Sequence, residues 1–467
     1  MNTKILRRIG LAILAAGSLS ALSSSATAQT NFTLLKSFNG NPDGVVPYNS
    51  LAADTNLVLY GTAVGGGISN IGTVFRLNAD GSGFSVLKGF TGPDGSGPRA
   101  GLVLGSDGNL YGTTWSGGSA NFGTIFTLNR SGGGFAVLHS FTGSSDSKNP
   151  SATLIEGSDG ALYGTTEFAD SATRGTVFKI NKNGGGYSIL HTFTGNPDGQ
   201  QPQARLLEGS DGRLYGTTSF GGNTVVGTIF GLNKDGSGYG LVYTFQTTGG
   251  DGRQPEGGLI EGSDHALYGT TYHGGSTGGA GTVFKINKDG GGYLILRSFS
   301  SAGADGQRPN AELVEGADGA LYGGNDFGNP PVNGTIYKIN KDGSGYAILR
   351  SFVNANGDGG TPKCGLIQLK NGAFYGTTEY GGLAGAGCVF ALSSAPLPPR
   401  VSSLSVSAGS NFVQFATTSA TQYDVQRSTN LSSWLVLTTL TSPTNGQINY
   451  KDLTPPVRSA FYRLQQH

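Results

Sequence analysis

Two carboxyl groups ~5–9.5 Å apart can serve as acid and base on a glycosidic bond, and three acids recur in comparable positions here: Glu167, Asp326 and Glu379. Each stands four residues after the tyrosine of a recurring Leu/Phe-Tyr-Gly motif. At the same offset from the other motif tyrosines stand Val64, Trp115, Ser219 and Tyr272. The next positions carry Gly65, Ser116, Phe168, Phe220, His273, Phe327 and Tyr380. Aromatic rings stack on the apolar faces of sugars while carboxylates take the hydroxyls. Trp115, Phe168, Phe220, Tyr272, His273, Phe327 and Tyr380 are therefore the candidate ligand contacts, with Arg99, Lys148, Asp170, Arg174, Arg253 and Arg308 nearby in the chain. Glu167, Asp326 and Glu379 are weaker catalytic candidates, Asp326 and Glu379 falling on neighbouring repeats. Simple packing of the loops by the same rings is the plainer alternative.

Other chemical patterns dissolve on inspection. Gly274-Gly275-Ser276-Thr277-Gly278 matches the G-x-S-x-G nucleophile pattern but lacks the helix that must follow it. The Asn-Lys-Asp-Gly segments offer at most one carboxylate each, too few oxygens for calcium. Ser-Asp-Gly segments faintly suggest the Asp-box of sialidases, but the spacing to the aromatic is too short. Asp43, Asp94, Asp146, Asp198, Asp251, Asp305 and Asp358 recur once per repeat, as loop-capping Asx turns do. The five histidines are scattered, with His139 and His191 at one repeated strand position, so neither a zinc site nor any cofactor is expected. The two cysteines, Cys364 and Cys388, fall two strand spacings apart, roughly 9–10 Å, beyond the ~7 Å a disulfide tolerates. A bond between them needs the chain to bend over the intervening strand, and it stays open.

These positions hang on a repeat. The motif tyrosines are Tyr60, Tyr111, Tyr163, Tyr215, Tyr268, Tyr322 and Tyr375, and a Gly-Thr-Val/Ile-Phe/Tyr segment follows each on the same beat, as Gly387-Cys388-Val389-Phe390 in the last copy. In the third copy, residues 152–156 read as a strand A, 162–166 as B, 175–180 as C and 187–193 as D, joined at A–B and C–D by Asp-Gly or Asn-Gly turns. Self-similarity at this period means a propeller or a solenoid, and four antiparallel strands make one propeller blade. The seventh copy has no D strand, whereas residues 32–38 form a D strand with no A, B or C before it. The expected fold is therefore a seven-bladed β-propeller whose N-terminal strand closes the last blade and leaves no open sheet edge. Gly112 and its equivalents sit inside strand B, where glycine suggests a close approach of neighbouring backbone.

The chain has 82 glycines, 24 phenylalanines and 19 tyrosines among 467 residues, with 30 Lys+Arg against 29 Asp+Glu. That balance argues against nucleic acid as a partner. Lys4, Arg7 and Arg8, an apolar run from Ile9 to Leu22, and Ala26-Thr27-Ala28 read as a signal peptide over 1–28. The run is too short to span a bilayer, so export to the periplasm, cell surface or medium is expected, without a membrane anchor. The propeller would cover 32–394, and Ala395-Pro396-Leu397-Pro398-Pro399 opens a stiff linker over 395–400. Six short strand-like runs in 401–467 suggest a small β-sandwich, and 423–428 and 460–464 resemble fibronectin type III strands.

The unit Leu-Tyr-Gly-Thr-Thr, then Gly-Gly, Gly-Thr-Val-Phe-Lys-Ile-Asn-Lys-Asp-Gly and Leu-x-Ser-Phe resembles the GloVer tandem repeat of bacterial exported proteins over residues 32–392. That resemblance implies a propeller-like repeat protein and supplies no catalytic residues. The expected function is a monomeric, non-catalytic binding or scaffold propeller that recognises polysaccharide or an envelope protein through its B–C and D–A loops. A carbohydrate-active hydrolase or lyase and a purely structural envelope component are the alternatives.

Overall fold

The computed structural model describes residues 31–393 apart from 48, 144–145, 169–173, 302–304, 329 and 356, and in the tail 400–407, 410–416, 422–428, 435–441, 447–453 and 461–466. The expected signal peptide and most of the linker lie outside the described residues; Arg400, placed in the linker by sequence, already belongs to a strand. Every regular element among the described residues is a β-strand.

Seven four-stranded antiparallel sheets form, each in the order A-B-C-D. In the third repeat the strands are Ile155–Glu156, Leu162–Thr166, Thr176–Ile180 and Ser188–Thr192. Strand A is shorter than its sequence suggests, because Ser151, Ala152 and Thr153 leave the ladder to line a central cavity. Strand B is held by its motif tyrosine. Tyr163 is buried and its hydroxyl donates to Asp159 of the A–B turn at 2.8 Å. The same bond recurs from Tyr60 to Asp54 and from Tyr322 to Asp318. The seventh sheet takes its fourth strand from the N-terminus: Asn31–Ser37 pairs with Cys388–Ser393, from Asn31 opposite Ser393 to Ser37 opposite Cys388.

One aromatic joint, repeated seven times, fastens each sheet to the next. The phenylalanine that follows strand D sits edge-on or tilted against the ring of strand C in the following sheet, and a third ring, just before or at the start of that sheet's D strand, completes the triad. Phe193, Phe230 and Tyr239 show it, with Phe193 5.1 Å from Phe230. Phe38, from the fourth strand of the last sheet, packs against Phe75 and Phe84 of the first at 5.1 and 5.9 Å. That contact joins the last sheet to the first. Phe352, Phe390 and the N-terminal Phe32 form the joint between the sixth and seventh sheets. Each edge-to-face pair contributes roughly 0.5–1.5 kcal/mol beyond the area it buries.

The glycine inside strand B follows from this core. A Cβ on Gly164 would lie 2.6 Å from Phe178 Cζ and 2.7 Å from Leu154. The obligation therefore comes from a ring and a leucine of the same sheet, and not from a neighbouring backbone as the sequence suggested. The glycine that opens strand C has φ near +100° and meets a proline of the next repeat: a Cβ on Gly175 would lie 2.6 Å from Pro202, and one on Gly387 would lie 2.5 Å from Pro47. The second of these joins the last repeat to the first.

In the tail, two three-stranded antiparallel sheets form, ordered 400–407, 410–416, 447–452 and 435–441, 422–428, 461–466. Val413, Phe415 and Ile448 of one and Tyr423, Val425 and Leu464 of the other share a single core.

Candidate functional site

At one face of the ring the D–A loop of each repeat pairs with its own B–C loop. Lys148 bridges to Phe168, Gln200 to Phe220 and Gln307 to Phe327, while Gly252–Arg253 and Gly359–Gly360 form short ladders with His273–Gly274 and Tyr380–Gly381. This backbone lattice brings Glu167, four residues after its motif tyrosine, to one cavity with Arg99, Ser151, Gln203, Glu256, Asn310 and Lys363, each the residue after a D–A loop proline.

A cavity of about 260 Å³ opens at this mouth and touches the same stretch of all seven repeats, from Asn49 to Lys363, so it lies where the repeats meet. Its wall is polar. Glu167 accepts hydrogen bonds from Trp115 Nε1 at 3.3 Å and Gln203 Nε2 at 2.9 Å. The Arg99 guanidinium stacks 4.0 Å from the Trp115 ring. Lys363 pairs with Glu379 at 2.9 Å and Arg205 with Glu312 at 3.3 Å. Asn310 Nδ2 approaches Asp326 Oδ2 at 3.4 Å. Asn49 Nδ2 and Ser151 Oγ, both from wall residues, are buried without a partner among the described residues.

Burial governs the charges. It pushes the Asp326 carboxyl up to about 7, assisted by Glu256 and Glu379 and opposed by Lys363 and the Asn310 bond. Glu256 is also pushed up to about 7, again by burial first, with Lys363 and Arg308 opposing and Glu167 assisting. Glu167 is raised by burial against the bonds from Trp115 and Gln203. Two carboxyls at this mouth thus hold protons near neutrality.

The three acids singled out in the sequence all come to this mouth, and Trp115 joins them through Glu167. Tyr272 lies beside it, its hydroxyl 3.4 Å from Arg308. Phe168, Phe220, His273, Phe327 and Tyr380 are the next residues along, and successive residues of an extended chain point to opposite sides. They belong to the loop bridges; Phe327 and Tyr380 are 41% and 45% exposed. Sequence reasoning missed Gln203, Glu256, Asn310 and Lys363. Asp170 lies outside the described residues.

The repeated aspartates are structural. Asp198 accepts from Thr194 N and Tyr239 and pairs with His191, whose ring stacks on Tyr239; Asp146 holds His139 likewise. Among the described residues no group of three His, Cys, Asp or Glu side chains is placed to hold a metal ion. Cys364 and Cys388 are buried free thiols, so the disulfide left open by the sequence does not form. Cys364 Sγ is engaged with the Thr377 backbone and Cys388 Sγ with Thr378 Oγ1 at 3.1 Å, so strand B stands between the two sulfurs. Cys388 replaces a threonine: in the third repeat the equivalent bond joins Thr166 and Thr176 at 2.8 Å.

The Gloeobacter/Verrucomicrobia repeat family matches residues 15–207 and 152–390. No curated protein matches the chain. Among solved structures, a putative 6-phosphogluconolactonase from Bacteroides uniformis is 14% identical, with a TM-score of 0.47 over 84% of this chain and 98% of that one. A fungal alcohol oxidase of the AA5 family, in complex with copper, is 14% identical, with a TM-score of 0.49 over 91% and 92%. A putative 6-phosphogluconolactonase from Bacteroides fragilis is 13% identical, with a TM-score of 0.45 over 89% and 100%. At these scores and identities the likenesses say nothing of this chain's activity.

Proposed function

The chain belongs to the Gloeobacter/Verrucomicrobia repeat family, and we propose that it is an exported seven-bladed β-propeller with a fibronectin type III-like sandwich, acting as a non-catalytic binding protein whose axial mouth takes a glycan. The reading of the fold is supported by the seven four-stranded sheets, the last completed by the N-terminal strand, and by the shared core of the two tail sheets. The observation that carries the function is the polar axial cavity, where Asn49 Nδ2 and Ser151 Oγ are buried without partners among the described residues. Buried polar atoms left unpaired cost stability unless a ligand or water satisfies them, and sugar hydroxyls both donate and accept.

The test is titration of the mature chain against a glycan array and then against individual oligosaccharides. Wild type should bind at least one glycan, and Gln203→Ala and Trp115→Ala should each weaken it by about tenfold, the loss of one good contact. If wild type binds no glycan, the reading fails.

A second reading is a carbohydrate-active hydrolase. It is favoured by Asp326, which holds a proton near neutrality, on the repeat next to Glu379, which faces Lys363. An acid raised by burial, beside a second carboxyl that faces a lysine, fits the division of labour such chemistry requires. Release of reducing sugar by wild type, lost in Glu379→Gln, supports it; no turnover by wild type refutes it.

A further inference from the structure

Most charged groups at the axial mouth are matched within the protein. Arg205 faces Glu312, Lys363 faces Glu379, Arg99 covers Trp115, and Glu167 receives two hydrogen bonds. Arg308 spreads over the Tyr272 and Phe327 rings, 5.3 and 5.2 Å from their centres. Two carboxyls are left over. Asp326 is fully buried and its Oδ1 has no partner among the described residues. Glu256 lines the cavity, and no ion pair is formed with it among the described residues. Lys363 pairs with Glu379 at 2.9 Å and also lowers the Glu256 and Asp326 carboxyls, with Arg308 lowering Glu256 as well.

We propose that the axial mouth selects glycans bearing a free amine, amino sugars whose nitrogen is not acylated, with Glu256 as the carboxylate that meets the ligand's ammonium group; this rests on the mouth being the glycan site. Arg99, Arg205 and Lys363 also line the cavity, but each is engaged by another partner, and no ion pair joins any of them to Glu256 among the described residues. An ammonium supplies one charge and three donors. Glu256 can take one of these. Gln203 and Asn310 line the same cavity and have committed their amide nitrogens to Glu167 and Asp326, which leaves their amide oxygens as acceptors. Asp326 lies behind this wall and acts through its field. An N-acetyl group would bring a methyl and no charge to the same place. The protons that Glu256 and Asp326 hold near neutrality are the alternative counter-charge, so an ammonium ligand should displace part of that proton population.

The test is calorimetric titration of the mature chain at pH 7 with the glucosamine tetrasaccharide and with its fully N-acetylated counterpart, in two buffers of different ionisation heat. The amine form should bind about tenfold more tightly or better, the worth of one partly buried charge-assisted contact. Its apparent heat should differ between the buffers, reporting protons released. Glu256→Gln should abolish the preference without lowering the melting temperature. Equal affinity for the two sugars overturns the inference and leaves the glycan reading standing; binding of neither overturns both. A preference retained by Glu256→Gln, or heats independent of buffer if that variant does not fold, overturns the assignment to Glu256.

Discussion

Replacing Phe38 by alanine tests whether the ring is closed. Phe38 directly follows the first strand of the chain, Asn31–Ser37, yet its ring is fully buried 5.1 Å from Phe75 and 5.9 Å from Phe84 of the first repeat, while that strand is the outer edge of the last sheet. Its counterpart Phe193 makes the same contacts between the third and fourth sheets, 5.1 Å from Phe230 and 6.3 Å from Tyr239. Truncating a buried phenylalanine costs about 3–5 kcal/mol, the lost transfer energy plus the cavity left behind. In a closed ring both substitutions fall in that range, because both rings are clamped between two sheets. In an open arc Phe38 would face solvent and its loss would cost only about 0.5 kcal/mol, like an ordinary surface change. Equilibrium urea unfolding of wild type, Phe38→Ala and Phe193→Ala, followed by far-ultraviolet circular dichroism, separates the two cases. A Phe38→Ala protein as stable as wild type, beside a Phe193→Ala protein destabilised by several kcal/mol, would refute the closure.

Further outcomes follow from the same contacts. Gly164→Ala places a Cβ 2.6 Å from Phe178 and should destabilise by about 1–3 kcal/mol through overpacking, measured by the same unfolding. At the opposite end of the ring Glu208 accepts from Ser158 N and Oγ and pairs with Lys234; Glu208→Ala should cost about 1–2 kcal/mol, less at high salt. Asp326 ionises from an ordinary value of 3.8 when unfolded but holds its proton to about 7 when folded. The native state therefore binds one more proton between those limits, and stability falls as pH rises from about 4 to about 7, by an amount on the order of a few kcal/mol from this group. Asp326→Asn should flatten that fall, which melting temperatures at pH 4.5 and 8 would report. Cys364 and Cys388 are buried, with burial raising their thiols to about 11 and about 12, so a thiol reagent should find both after denaturation and neither in the native protein.

Much of this was legible in the residues because the repeat states its plan seven times. The missing D strand after Leu392 and the surplus one at 32–38 foretold the pairing of Asn31–Ser37 with Cys388–Ser393. The tail strands lie within one or two residues of their apolar runs. The axial site was half legible. Positions after the motif tyrosines break the repeat and drew attention to Glu167, Asp326 and Glu379. The residues that meet them, Gln203, Glu256, Asn310 and Lys363, break it equally, each following the proline of a D–A loop. That signal lay in the sequence; the pairing of the two loops that brings both sets to the axis is a tertiary fact, carried by the backbone bridges. Alternation along the loop also separates Glu167, which lines the cavity, from Phe168 beside it, a distinction composition alone does not make. The strand B glycine was recognised as a close-approach site, but the approaching group is the Phe178 ring and not backbone.

A crystal structure of the mature chain soaked with a glucosamine oligosaccharide tests the central claim most directly. The account predicts a sugar in the axial cavity, its hydroxyls within hydrogen-bonding distance of Asn49 or Ser151 and its amine on Glu256. Sugar bound instead over the exposed Phe327 and Tyr380 rings or on the tail sheets, with the axial cavity holding only water, would contradict it.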